Sequence, residues 1–339
     1  MNINILAIDI AKNVFQLCGV DRSGNIVKEL RISRSKLLKT VEKLHPKIIA
    51  MEACGSSNYW AREFTKLDID VKLIAPQYVK PFVKGQKNDK QDARGIAEAC
   101  QRPTMNFVSP KTIVQQDMQS LLRIREGYIA MQTRTCNQLR GLLLEYGITI
   151  PQSKKKLRQV LPIIVDRDAD NGLTGQMKSM IEMQYSLLLI LEKNIASCDV
   201  DITKIAKESE VCQRLQAVEG VGPLTAVAVV SLAGNGMAFK NGRHFSAYLG
   251  LVPRQYSSGM KQTLQGITKH GDNYVRQLLV HGGRSVTRTV DKNVTARHQW
   301  LARVKQERGY NKAAVALANK NARIMLAMIK SGEAYRHAA

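Results

Sequence analysis

Short apolar runs separated by turn residues fill the first hundred positions, and longer helical periods replace them further on. Residues 4–10 (Asn-Ile-Leu-Ala-Ile-Asp-Ile) form an apolar run that closes on an acid, Asp9. Residues 14–20 and 26–32 are two further β-rich runs, with Asp21-Arg22-Ser23-Gly24-Asn25 between them as a hairpin-type turn. Three consecutive strands in an antiparallel meander are therefore predicted. Ser33 stands where an N-cap belongs, ahead of a helical stretch over 34–44 that Pro46 stops. A fourth strand over 47–54 carries Ile48-Ile49-Ala50-Met51 and runs straight into Glu52. The pattern then predicts a helix over 58–67, a fifth strand over 70–75 and a helix starting near Asp89.

Past residue 108 the period lengthens. Between 109 and 146, Ile113, Met118, Leu121, Leu122, Ile129, Leu139 and Leu143 recur at helical spacing, and Gly147 and Pro151 follow. A basic cluster, Lys154-Lys155-Lys156-Leu157-Arg158, comes next. A second long helical period over 175–205 places Met177, Met180, Ile181, Leu188, Leu191 and Ile195 on one side. Two long helices joined by the polar segment 166–171 predict an antiparallel helical hairpin, an arm or dimer contact. Its methionines read as packing. The expected division is an α/β domain over 1–108, a helical coiled-coil arm over 109–208 and a mostly helical domain over 209–339.

Charge narrows the partners. Across 339 residues, Lys and Arg number 51 against 28 Asp and Glu, a net charge of +23. That excess exceeds what solubility needs and points to a polyanion. No apolar stretch approaches the ~20 residues of a spanning helix, so nucleic acid is expected rather than membrane. Asp9 interrupts the apolar N-terminus, which does not read as a signal peptide, and the expected setting is the bacterial cytoplasm, at the nucleoid when bound to DNA. Six scattered cysteines without a C-x-x-C pair argue against zinc and against a disulfide framework. Aromatic residues, at 5%, are too few for an OB-type stacking platform.

Four acids carry the candidate chemistry. Asp9 and Glu52 lie at the ends of apolar strands, where a lone carboxylate is costly to bury. Asp89 and Asp92 are three residues apart and share a helix face. Converging, they form an all-oxygen nest suited to Mg2+ or Mn2+ and a phosphate; taken singly, each is also explained as a cap or a solvated charge. Lys84, Lys87 and Lys90 surround the entry to the Asp89 helix, as a phosphate-contacting loop or a solvated one. Gly220-Val221-Gly222-Pro223 reads as the turn of a helix-hairpin-helix, whose amides can face a backbone phosphate, or as a plain helix–helix turn. From 245 to 272 the chain is rich in glycine, serine and basic residues, including Arg254, Ser257, Ser258, Lys261 and Lys269. That stretch reads as a linker, or as a loop that offers a serine nucleophile to nearby cations.

The order of strands, helices and acids resembles the RNase H-like fold of resolvases and transposases. More specifically, Ala7-Ile8-Asp9-Ile10-Ala11-Lys12, Met51-Glu52-Ala53-Cys54-Gly55, Lys87-Asn88-Asp89-Lys90-Gln91-Asp92-Ala93, Gly220-Val221-Gly222 and Gly250-Leu251-Val252-Pro253-Arg254 through Ser257-Ser258-Gly259 resemble the 110-type insertion-sequence transposases, relatives of the Piv DNA invertase. The resemblance spans nearly the whole chain. It implies a RuvC-like domain with Asp9, Glu52, Asp89 and Asp92 as metal-binding catalytic acids, a coiled-coil arm, and a C-terminal transposase domain with Ser258 as nucleophile. It also implies a phosphoserine link to DNA, donor and target DNA as substrates, a structured bridge RNA as guide, and a homodimer or tetramer. The alternative from the same acids is a RuvC-type endonuclease that hydrolyses DNA without a covalent intermediate. A third reading, a non-catalytic nucleic-acid-binding protein, fits poorly with an intact acidic set.

Overall fold

The computed structural model describes residues 2–84, 88–166, 168–259, 261–290 and 295–336, so Lys87 lies outside the described residues. The chain forms two compact units, Met1–Val114 and Gln115–Ala339.

The first unit is built on a six-stranded mixed sheet. Strands β1 (Ile5–Ile10), β2 (Val14–Val20) and β3 (Ile26–Ser33) form the expected antiparallel meander. A 3-10 turn (Arg34–Lys36) and α1 (Leu37–Leu44) lead to β4 (Ile48–Glu52), which pairs parallel with β1. Helix α2 (Ser57–Thr65) precedes β5 (Asp70–Ile74), parallel to β4, and α3 (Pro76–Val79) leads towards α4 (Asp89–Cys100). A two-residue strand, β6 (Phe107–Val108), closes the order β3-β2-β1-β4-β5-β6. This architecture is consistent with a RuvC-like domain.

One detail departs from expectation. Ser33 is the last residue of β3, and its side chain makes no cap hydrogen bond. The first turn after it is 3-10, and the Ser33 hydroxyl instead lies 3.2 Å from that of Ser35.

Strand alternation gives the sheet two apolar faces. Leu6, Ile8, Ile49 and Met51 pack with Leu37, Val41, Trp60 and Phe64 of α1 and α2. Ile5, Ala7, Ala50 and Ile74 pack with Ala93, Ile96 and Ala97 of α4.

In the second unit, α5 (Ile113–Leu144), α6 (Lys154–Val165) and α7 (Gly175–Glu208) pack together through Leu139, Leu143, Leu157, Leu161, Met177 and Ile181. Arg125 of α5 pairs with Asp199 of α7 at 2.6 Å, while residues 136–143 meet residues 177–188, so the two long helices run antiparallel. The basic cluster at 154 is the first turn of a helix, capped by the Ser153 hydroxyl on the Lys156 amide. Leu157, Leu161 and Ile164 supply its buried stripe, and the lysines lie outside it.

Helices α8 (Glu210–Gln216), α9 (Pro223–Ala233) and α10 (Gly242–Tyr248) follow. The stretch read as a linker or irregular loop is a β-hairpin, β7 (Pro253–Ser258) and β8 (Lys261–Ile267). Its polar residues fall on both faces, which erases the alternation that marks a half-buried strand. Helices α11 (Asn273–Thr289), α12 (Ala296–Arg308) and α13 (Tyr310–Ser331) complete the unit. One core joins Leu122 and Ile202 of the long helices to Cys212, Val227, Phe245, Leu279 and Met325. Among the described residues, no helix is long and apolar enough to cross a membrane.

Candidate metal centre and serine hairpin

Strand periodicity aims the first acids. Asp9 continues the Ile5–Ala7 face of β1, and Glu52 continues the Ala50 face of β4, so both point to the side that α4 covers. Since Ile8 is level with Met51 in the parallel pair, Asp9 and Glu52 leave neighbouring strands at the same height. Helix α4 starts there. The Asn88 side chain caps it by accepting from the Gln91 amide at 3.0 Å, which fixes Asp89 and Asp92 in the first turn. That position favours carboxylates, as the helix dipole is positive at this end.

Carboxylate oxygens of Asp9, Asp89 and Asp92 all lie within 4.8 Å of one another. Glu52 stands outside this trio, yet its charge reaches Asp9. Burial, then the charges of Asp92, Asp89 and Glu52, push the Asp9 pKa up to about 6. A carboxyl raised by converging acids is what a bound cation relieves. Three hard oxygen donors at this spacing fit a divalent metal. Cys54 is no competitor as a nucleophile: burial, Glu52 and Asp9 all raise its pKa away from the thiolate. All six cysteines are free.

The lysines around α4 are engaged within the unit. Lys90 pairs with Glu29 at 2.9 Å, and Lys84 with Glu98 at 3.4 Å. These exposed pairs are weak enough to exchange for phosphate. Arg94 makes a two-pronged contact to Glu29 at 2.8 and 3.2 Å, tying α4 to β3, a restraint that the sequence reading missed.

Ser258 closes β7 opposite Lys261, with Ser257 opposite Gln262. Cross-strand partners share a face, so Ser258 stands with Lys261, Tyr256 and Thr263, and Ser257 faces the other way. There Ser257 accepts from Gln255 Nε2 at 3.0 Å. Every residue of β7 is exposed, and in β8 only Ile267 is partly covered.

What holds the hairpin is its base. The buried Arg276 guanidinium donates to the carbonyls of Leu249 (3.0 Å) and His270 (2.6 Å), and Asn319 Nδ2 donates to Leu251 at 3.1 Å. Arg254 donates to the Thr268 carbonyl at 3.3 Å, and the exposed Lys269 takes a left-handed backbone (φ 58°) while its amide donates to Gly250. A Cβ on Gly271 would lie 1.9 Å from the Tyr248 carbonyl, so only glycine permits this approach. Arg276 gave no signal in the sequence beyond a cation at a helical position.

The Gly220-Val221-Gly222 turn joins α8 to α9, with Gly220 at φ 82° and Pro223 opening α9. Gly220 also packs directly on α11, where a Cβ on Gly282 would lie 1.9 Å from its carbonyl oxygen. Asn321 Nδ2 donates to the Glu219 carbonyl at 2.9 Å, which holds the turn from α13.

An α/β unit whose acids gather at the end of β1 and the start of α4, followed by a largely helical unit, is consistent with a DEDD-type transposase. Two family models agree with it: one for the DEDD transposases of the IS110 type over residues 6–148, and one described as the IS116/IS110/IS902 transposase family over residues 212–299. The transposase of insertion sequence element IS1111A from Coxiella burnetii is 44% identical, covering 99% of this chain and 92% of its own length. A probable family 20 transposase from Pseudomonas aeruginosa is 42% identical over 99% of both chains. The IS1328 transposase of Yersinia enterocolitica is 34% identical over 98% of this chain and 99% of its own. The chain belongs to the IS116/IS110/IS902 family of insertion-sequence transposases, enzymes of DNA transposition.

Proposed function

We propose that this transposase cuts and rejoins DNA through a serine–phosphate intermediate, using the acids of the first unit and Ser258 of the second. The observation that carries the reading is the convergence of Asp9, Asp89 and Asp92 beside Glu52 in a chain of this family. Asp9, Asp89 and Asp92, with Glu52 beside them, would hold Mg2+ or Mn2+, which would supply Lewis-acid polarisation of the scissile phosphate and charge neutralisation there.

Ser258 Oγ attacks phosphorus and gives up its proton, while the bond to the leaving deoxyribose oxygen breaks and that oxygen takes a proton. Lys261, on the same hairpin face, offsets the negative charge that develops. Attack by the hydroxyl of an incoming strand then releases the serine and restores a phosphodiester, with no net bond lost. Lys84, Lys90, Arg254, Lys269 and the amides of the Gly220–Gly222 turn are assigned to DNA or RNA backbone. Residues 109–208 act as a coiled-coil arm, the turn at 220 acts as a helix-hairpin-helix, and exchange runs in a dimer or tetramer guided by a structured bridge RNA.

The test mixes full-length protein, Mg2+, bridge RNA transcribed from the element's noncoding end and donor DNA, then resolves products on a denaturing gel with peptide mapping. A DNA adduct on Ser258 that needs RNA and is lost in Asp92→Ala supports the proposal. Cleavage that persists in Ser258→Ala with no adduct replaces it with the hydrolytic endonuclease.

A further inference from the structure

The second unit carries a groove of about 1470 Å3 that the proposed chemistry does not use. Its walls come from the start of α10, the base of the hairpin, Trp300 of α12 and one flank of α13. Small-molecule sites run to about 300–1,000 Å3, so this groove is sized for a polymer. Leu251, Val315 and Ile324 contribute apolar surface, and Arg243, Lys312, Lys320 and Arg323 stand around it, with no carboxylate among the lining residues.

The four cations make no ion pair among the described residues. Lys320 Nζ sits 4.3 Å from the centre of the Trp300 ring. Burial, with Arg297 and Arg323 beside it, lowers the Lys320 pKa. Like charges gathered on an apolar surface without an acid are unfavourable until an anion arrives. A duplex offers such a surface phosphates, sugars and base-pair edges but keeps its base faces stacked inside. An unpaired strand offers phosphates and exposed base faces together, which matches cations around an apolar floor with one indole.

We propose that this groove holds an unpaired nucleic-acid strand, with phosphates on Arg243, Lys312 and Arg323 and a base against the Trp300–Lys320 pair. The inference rests on the reading that the chain works on DNA. It also fits the hairpin: Pro253 and Ile267 border the groove, and Ser258 lies five residues along β7, about 17 Å at the usual strand rise. A strand leaving the groove therefore runs along the hairpin towards the serine.

The experiment titrates full-length protein into fluorescein-labelled oligothymidylate, oligouridylate and a duplex of equal length at several salt concentrations, following anisotropy. An unpaired oligomer binds tighter than the duplex, and the better of the two identifies DNA or RNA as the natural strand. Trp300→Ala weakens that binding about tenfold or more. Replacing the exposed Lys312 and Arg323 by alanine flattens the salt slope by about 1.4, at about 0.7 for each single-strand phosphate contact. Of the two tryptophans, Trp60 is buried in the first unit, so oligomer binding quenches Trp300. The conservative Trp300→Phe removes that quench without a loss of fold. Equal binding by wild type and variants, or a duplex preference without quenching, overturns the proposal and leaves the DNA reading standing. Failure to bind any nucleic acid overturns both.

Discussion

At neutral pH Asp9 is ionised against its burial and the field of its neighbours, since its pKa has risen from 3.8 to about 6. The raised value means that the folded state binds this proton more tightly than the unfolded state does. Ionised Asp9 therefore weakens the fold above pH 6, and the penalty shrinks as pH falls, vanishing near the unfolded value of about 4. Asp9→Asn is expected to raise Tm at pH 7.5 in metal-free buffer, by a few degrees at most given the screening on its open side. The gain disappears near pH 4, and Mg2+ raises Tm in wild type but not in the variant. Differential scanning calorimetry with and without Mg2+ reads both; an equal Mg2+ response in the two proteins removes Asp9 from the metal site. Ser257→Ala is expected to keep the DNA adduct and Ser258→Ala to lose it, because only Ser258 shares a face with Lys261. Peptide mapping of the adduct decides between them. Much of the acidic set was legible in the sequence, for a carboxylate at the end of an apolar strand breaks the pattern visibly. The close restraints were not: Glu29 and Arg94 are 65 residues apart in the chain and meet only through the fold.

Elements with one buried face were equally legible. The meander, β4, β5 and α4 follow from alternation or helical period, because one side of each meets a core. Helix α6 was hidden because four cations in its first five residues mask the stripe Leu157, Leu161 and Ile164, and Pro162 interrupts the period. The β7–β8 hairpin escaped because it has no buried face at all. Packing between elements leads to a paired prediction. Gly282→Ala drives a Cβ to 1.9 Å from the Gly220 carbonyl and should cost at least the roughly 1–3 kcal/mol of an overpacked core. Gly127→Ala, in α5 with nothing within 4 Å of the new Cβ, should stabilise by about 0.5–1 kcal/mol. Urea denaturation of the two variants measures the contrast, and equal midpoints would mean that the close approach of α11 to the turn does not bear on stability. Because a two-stranded ribbon is marginal by itself, amides over 254–259 and 261–266 should exchange within the fast phase in free protein and gain protection with nucleic acid. Slow exchange in the free protein contradicts that.

On the scale of the molecule, the net charge of +23 favours many phosphate contacts, and the number of those contacts sets how binding responds to salt. If six to ten phosphates are contacted, affinity for DNA falls about 10³–10⁵-fold between 50 and 200 mM salt, readable by anisotropy. A flat response would mean that the surplus charge meets little backbone. Under the proposed chemistry the two units divide the labour, with the proposed metal ligands before residue 114 and the serine after residue 115.

That hairpin, held at its base and bare along its length, has a consequence for the host cell. A transposase that carried its cutting group on a rigid, fully packed element would be armed from the moment of folding. If Ser258 is the nucleophile, its hydroxyl is mounted on a two-stranded ribbon exposed along its length, a form that is marginal until a partner lies against it. Under the proposed chemistry, idle copies of the enzyme are poor at breaking chromosomes.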